Sequence, residues 1–166
     1  MRRLPILKTL VTILFIMSLI MMFFLVPCML LAIVMPESIP FEINGVPAKD
    51  LTIELHILGF IMLIGFTAFI YALYLFKQTL TLFEKRKIFD AAVIKNLDQT
   101  GKAIIAGYLI CAVPMFLYNM TTDEIKIDLN ISFESVFILG LGLFFIVLSE
   151  IFLMAKTMKE ENDLTV

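Results

Sequence analysis

Four residues with chemically capable side chains lie in or beside the long apolar runs of this chain: His56, Cys28, Cys111 and Glu150. His56 is the only histidine, and no second imidazole or thiolate is near it in sequence, so a metal site there needs ligands from other segments. The two cysteines have neither CxxC spacing nor a histidine partner, which is typical of buried small hydrophobic residues. We therefore interpret His56 as an interfacial, non-catalytic residue and both cysteines as packing residues.

Glu150 is the most informative of these side chains, because it precedes Lys156 by about 9 Å of helix inside an otherwise uncharged run. A carboxylate that faces the interior of a helix bundle could bind a proton or a cation. The alternative is a carboxylate that snorkels to the lipid headgroups or pairs with Lys156. We favour this second interpretation, since the runs contain no other charge from which to build a relay, and keep Glu150 as an intramembrane carboxylate candidate.

Familiar catalytic and nucleotide-binding motifs are absent from the sequence, which has no GxSxG, HExxH, P-loop or GxGxxG pattern. We therefore predict a non-enzymatic protein without catalytic residues, bound cofactor or metal ligands. Direct contact with nucleic acid is not expected either, because the distribution of basic residues has a simpler explanation in membrane topology.

The composition indicates a chain whose main solvent is lipid. Hydrophobic residues make up 61% and charged residues 17%, whereas soluble domains have about 45–50% and about 25%. Four apolar runs are each long enough to cross a hydrocarbon core of about 30 Å as a helix. We predict a single four-span domain over residues 1–166, with spans at about 9–35, 56–77, 102–120 and 134–155.

The positions of lysine and arginine predict the orientation. Of the 13 basic residues, 11 precede the first span, lie between the second and third, or follow the fourth. Only Lys49 and Lys126 lie in the other two connections. Both termini and the middle connection are therefore expected in the cytoplasm.

Two outer segments carry signals for β-structure. Asn44-Gly45 between Ile43 and Val46 is a strong hairpin signal. Apolar residues alternate with polar ones from Ile125 to Ile131, the period of a half-buried strand. The predicted fold class is thus an all-α integral membrane protein, a four-transmembrane-helix bundle with a small extracytoplasmic β hairpin or sheet as a cap.

The middle connection is predicted to be helical over most of its length. Asp90 is a good N-cap, so the third helix should begin near Ala91, ahead of its span. The second helix can also continue past Lys77, which gives cytoplasmic helical extensions at about 78–101 with a tight turn between them. In the tail, 156–166, Asn162 is a plausible left-handed helix cap. Leu164 and Val166 are predicted to fold back as a latch on Val93 and Leu97.

The segments KRKIFDAAVIKNLDQTGK and IFLMAKTMKEENDLTV resemble the bacterial membrane family known as domain of unknown function 2975 (DUF2975). The resemblance covers most of the chain from Ile6 to Val166. It assigns family-motif or interaction roles to the positions that carry the matching residues: Ile88, Phe89, Val93, Leu97, Lys159, Glu160, Glu161, Asn162, Asp163, Leu164, Thr165 and Val166.

Several expectations follow from the resemblance. Members of the family are small multi-pass proteins, often encoded beside a small helix-turn-helix repressor, which implies a regulatory pairing and a location in the bacterial cytoplasmic membrane. We therefore expect an accessory or regulatory membrane protein with the lipid bilayer and a cytoplasmic helix-turn-helix regulator as partners, and a homo-oligomer is compatible with the sequence. The alternative is a component for transport or permeation of small solutes or ions, with Glu150 as the coupling residue.

Overall fold

Four long helices make up most of the computed structural model, which describes residues 3–35, 42–43, 46–47, 52–121 and 129–164. They are α1 (Leu4–Val34), α2 (Ile53–Glu84), α3 (Ala91–Thr121) and α4 (Leu129–Leu164). Each has an apolar stretch long enough to cross a bilayer. The chain is therefore a multi-pass membrane protein, and the prediction of an all-α bundle of four apolar helices is confirmed.

The predicted β cap is wrong. Strand pairing in the described part of the chain is limited to β1 (Glu42–Ile43) and β2 (Val46–Pro47), which pair antiparallel. The intended third strand is already helical at Leu129, because α4 begins there, whereas residues 44–45 and 122–128 lie outside the described residues. Two strands of two residues are too short to form a sheet that covers a helix bundle.

Helix starts follow the local sequence. The hydroxyl of Thr52 accepts a hydrogen bond from the Leu55 backbone N–H at 3.4 Å and caps α2. At α3, the carboxylate of Asp90 accepts from the Ala92 N–H at 3.0 Å, and the helix begins at Ala91. The predictions of an Asp90 cap, of a helix from Ala91 and of an α2 that continues beyond Lys77 are thus confirmed.

Helix α3 packs against both α2 and α4, whereas α1 packs mainly against α2. Aromatic pairs join α2 to α4: Phe76 lies 5.2 Å from Phe145 and Phe83 lies 5.6 Å from Phe152, measured between ring centroids. The apolar stretch of α1 is 6% buried, compared with 28% for α2 and 11% for each of α3 and α4. The core is therefore a three-helix unit, and α1 is a peripheral helix on its side.

Glycines bring the backbones of this three-helix unit together. A Cβ atom at Gly107 would lie 3.0 Å from the carbonyl oxygen of Gly65, so α2 and α3 touch there through their main chains. Between α3 and α4, a Cβ atom at Gly101 would meet the carbonyl oxygen of Gly142. Small residues permit this close approach. Cys111 also faces Gly65, which agrees with its predicted role as a packing residue.

The turn between α2 and α3 closes with a Schellman motif. The Arg86 N–H donates to the Phe83 carbonyl and the Lys87 N–H donates to the Leu82 carbonyl, each at 3.0 Å. Arg86 has a φ of 59°, in the left-handed region that glycine usually occupies at this position. This tight turn sends α3 back antiparallel to α2 and fixes the position of Phe89.

Candidate functional site

Charged residues define one end of the bundle, here called the basic end, which contains the start of α1, the α2–α3 turn and the end of α4. Lys77 is the first charged residue of α2 after Glu54, and Lys102 is the last charged residue of the described part of α3. The contact of Phe76 with Phe145 and that of Gly101 with Gly142 and Ile146 place Lys77 and Lys102 at nearly one level. We take this level as the edge of the apolar layer.

Three helices continue beyond this edge as a packed unit, here called the juxtamembrane stub: residues 78–84 of α2, 91–101 of α3 and 147–164 of α4. Its core contains Val93, which is 0% exposed, and Leu97, which is 1% exposed. Leu82, Phe83 and other side chains of α2 and α4 pack against them. The motif positions Val93 and Leu97 therefore form the stub's core.

A layer of buried polar residues crosses the stub, and sequence reasoning missed it. Thr79, Asn96, Thr100 and Ser149 are all at most 7% exposed. Each hydroxyl donates to a carbonyl of its own helix, and Asn96 Nδ2 donates to Gln78 Oε1 at 3.1 Å, which ties α3 to α2. The layer could have been predicted from polar residues that fall on the otherwise apolar face of each helix. Their bonds are satisfied, so the layer is structural.

The predicted tail latch is wrong. Helix α4 continues to Leu164, whose side chain is 86% exposed, and Val93 and Leu97 are already covered by α2 and α4. Asn162 lies inside the helix and not at a left-handed cap, whereas Thr165 and Val166 lie outside the described residues. The helix persists because this segment is rich in helix-forming residues, and Lys156 approaches Glu160 at 3.7 Å, one turn later.

Two motif segments that are distant in sequence meet at the tip of the stub. The ammonium group of Lys159 lies over the ring of Phe89, 5.6 Å from its centroid. Attraction between a cation and an aromatic face makes this contact favourable. Ile88 is half-buried beside it, whereas Glu160, Glu161, Asn162 and Asp163 are exposed on the last turns of α4.

Glu150 lies on the exposed side of α4, whereas its neighbour Ser149 is buried. It follows Phe145 by five residues, and Phe145 contacts Phe76. Glu150 therefore lies about 6 Å beyond Lys77, outside the edge of the apolar layer. This position is typical of an interfacial carboxylate and gives no support to a coupling residue inside the bundle. Lys156, its predicted partner, approaches Glu160 instead.

The remaining candidates do not come together. His56 Nδ1 lies 2.9 Å from the carbonyl oxygen of Thr52, and its Nε2 is buried without a hydrogen-bond partner among the described residues. Cys28 is exposed and Cys111 half-buried, both as free thiols. Within the described ranges, no three histidine, cysteine or carboxylate side chains gather in a group that could hold a metal ion.

Comparison with known families identifies the unit that carries this site. The family model described as Protein of unknown function (DUF2975) matches residues 48–166, which is 119 of the 166 residues. The chain belongs to the DUF2975 family. No curated protein and no solved structure matches it.

The DUF2975 match coincides with the structural division of the bundle. It covers α3 with its two neighbours α2 and α4, and it excludes α1, the peripheral helix. The family unit is thus the three-helix bundle together with the juxtamembrane stub.

Proposed function

We propose that this DUF2975 protein is a non-enzymatic accessory or regulatory protein of the bacterial cytoplasmic membrane. Its juxtamembrane stub presents a docking surface to a soluble regulator, for which a small helix-turn-helix protein is the first candidate. One observation carries the proposal: the family unit does not end at the edge of the apolar layer but continues as a packed three-helix stub. A protein that only filled the bilayer would need no such extension.

The surface of the stub supports this role. Met158 is 69% exposed. It lies well beyond the level of Lys77, since its neighbour Lys159 contacts Phe89 in the α2–α3 turn. Met154, one turn earlier, is 59% exposed. Lipid does not account for apolar side chains in this position, whereas exposed, adaptable methionines are common at protein-binding surfaces. We infer that the Met154–Met158 face contacts the partner.

Orientation is the first test. We propose that the basic end faces the cytoplasm, because 11 of 13 basic residues lie there. A fluorescent protein that folds only in the cytoplasm should be fluorescent when fused after Val166. The same reporter inserted between α1 and α2, within residues 36–41, should stay dark. Fluorescence from the inserted reporter would show that the stub faces away from any cytoplasmic regulator.

Partner binding is the second test. The chain is co-expressed with the small helix-turn-helix protein encoded beside its gene, and the regulator bound to washed membranes is measured. Met158→Glu should reduce the bound regulator at least tenfold, because burial of a methionine is worth about 1.5–3 kcal/mol and about 1.4 kcal/mol is tenfold in affinity.

Thr157→Glu is the matched control for this variant. Thr157 is also exposed but lies about 100° around the helix from Met158, so it adds the same charge on another face and should retain most binding. Equal losses in the two variants would show that Met158 makes no specific contact. A regulator that stays soluble beside the unaltered chain, or a locus without such a gene, would contradict the helix-turn-helix partner.

A further inference from the structure

A cleft with charged, hydroxyl and apolar side chains lies between the start of α1 and the end of α2, on the outside of the bundle. It has a volume of about 270 Å³ and is lined by Pro5, Lys8, Thr9, Thr12, Ile13 and Glu84. Only α1 and α2 contribute to it, so it lies outside the juxtamembrane core. Its walls combine two opposite charges and two hydroxyl groups with the apolar surfaces of Pro5 and Ile13.

The two charges form an ion pair that solvent and lipid can reach. Lys8 Nζ lies 2.6 Å from Glu84 Oε2, and the side chains remain 31% and 44% exposed. The Thr9 hydroxyl donates to the Pro5 carbonyl, so its oxygen keeps lone pairs for another donor. The cleft therefore offers a cation and an anion side by side, each with hydrogen-bonding capacity left.

The cleft lies at the depth of the lipid headgroups. Two contacts between α1 and α2 fix its level: Lys77 lies over the ring of Phe15, and Lys8 pairs with Glu84. Thr12 lies between these two contacts along α1. Glu84 follows Lys77 by seven residues, or about 10 Å of helix. Headgroup layers occupy about 5–8 Å on each side of the hydrocarbon. The cleft thus begins in the headgroup layer and opens at its aqueous surface.

We propose that this cleft binds the zwitterionic headgroup of a phospholipid that carries a primary ammonium group, of the phosphatidylethanolamine class. The phosphate binds Lys8 and accepts from the Thr12 hydroxyl, and the ammonium donates hydrogen bonds to Glu84 and to the free lone pairs of Thr9. A quaternary choline ammonium has no N–H to donate, and an anionic glycerol headgroup has no ammonium at all, so Glu84 gains no cation beyond Lys8. The proposal concerns α1 and is independent of the stub's partner.

Headgroup binding has a structural consequence for α1. This helix is attached to the rest of the bundle mainly through α2, and the Lys8–Glu84 contact is at the end of that attachment. A headgroup in the cleft bridges the two helices and holds α1 in place.

The test uses the full-length protein purified in detergent and titrated with short-chain phosphatidylethanolamine, phosphatidylcholine or phosphatidylglycerol. Bound lipid is counted by native mass spectrometry. The ethanolamine lipid should bind at least tenfold more tightly than the other two. Glu84→Gln should abolish that preference and Lys8→Met should weaken all phosphate binding, with far-UV circular dichroism to show that the variants remain folded.

Asp98→Asn is the matched control, because Asp98 also pairs with a lysine, Lys102, at 2.7 Å at the same end of the bundle. It should retain the full preference. The double exchange Lys8→Glu with Glu84→Lys restores an ion pair but reverses its direction, and it should lose the preference even though it folds. A preference that survives Glu84→Gln or the double exchange would overturn the proposal.

Free glycerophosphoethanolamine, which keeps the phosphodiester and the primary ammonium, distinguishes a lipid from a soluble ligand with the same chemistry. It should bind at least tenfold more weakly than the lipid, since it lacks the acyl chains that anchor the headgroup beside the cleft. Equal or tighter binding of the free compound would assign the cleft to a soluble zwitterion and overturn its assignment to lipid.

Discussion

Replacement of Gly101 by valine is expected to lower the free energy of unfolding by about 3 kcal/mol or more, the upper part of the range for overpacked cores. A Cβ at this position would meet the carbonyl oxygen of Gly142, the backbone nitrogen of Ile146 at 3.0 Å and the Ile146 side chain at 2.6 Å. Two of these three atoms are backbone and cannot move without displacing α4. The measurement is the unfolding midpoint during titration of detergent-solubilised protein with sodium dodecyl sulfate, followed by far-UV circular dichroism.

Gly140→Val provides the control on the same pair of helices. A Cβ at Gly140 would meet nothing within 4 Å, so the added methyl groups fit without strain. Gly140 is exposed, and substitutions at such positions usually have small effects, so the free energy of unfolding should change by less than about 0.5 kcal/mol. Similar losses at Gly101 and Gly140 would show that helix propensity, and not the contact between α3 and α4, limits stability.

The four apolar helices and the start of α3 could be predicted from the sequence, because they depend on local physics. Lipid leaves backbone groups no partner outside the helix, so four long apolar runs suffice to predict four helices. The start of α3 at Ala91 depends on the single carboxylate of Asp90, which accepts from the Ala92 N–H at 3.0 Å. The basic residues at one end predict the orientation that the reporter fusions measure.

The β cap could not be judged from sequence because its signal was short and competed with a longer one. Alternation between Ile125 and Ile131 spans seven residues, whereas the apolar helix that follows extends to Leu164. Helix formation is cooperative, so a long helix recruits the residues at its start. Leu129 accordingly belongs to the first turn of α4.

For the family-motif positions, the sequence predicted which residues are apolar but not which residues they contact. Val93 and Leu97 were correctly read as an apolar stripe beyond the span, but what covers them depends on how far α4 extends. Sequence alone favoured a fold-back of Leu164, since its helical alternative leaves that side chain in water. In the structure the Leu164 side chain stays exposed. Val93 and Leu97 are already buried in a cluster against which Phe83, Phe152 and their neighbours pack.

Leu97→Ala is therefore expected to destabilise the protein by about 2–5 kcal/mol, the usual range for truncation of a fully buried leucine. Leu97 is 1% exposed in the core of the stub, where Phe83 and Phe152 stack at 5.6 Å and leave little freedom to close a cavity. Unfolding in detergent, followed by far-UV circular dichroism, measures the change.

Leu164→Ala is the matched control, since Leu164 is 86% exposed on the same stub and has little to lose. Its effect should stay within about 0.5 kcal/mol. The pair also distinguishes the extended α4 from the tail latch, because a latch would make both leucines contribute to one contact and give them comparable, non-additive losses. A loss above about 1.5 kcal/mol for Leu164→Ala, the lower limit for a buried aliphatic side chain, would mean that the tail returns to the stub and that α4 ends earlier.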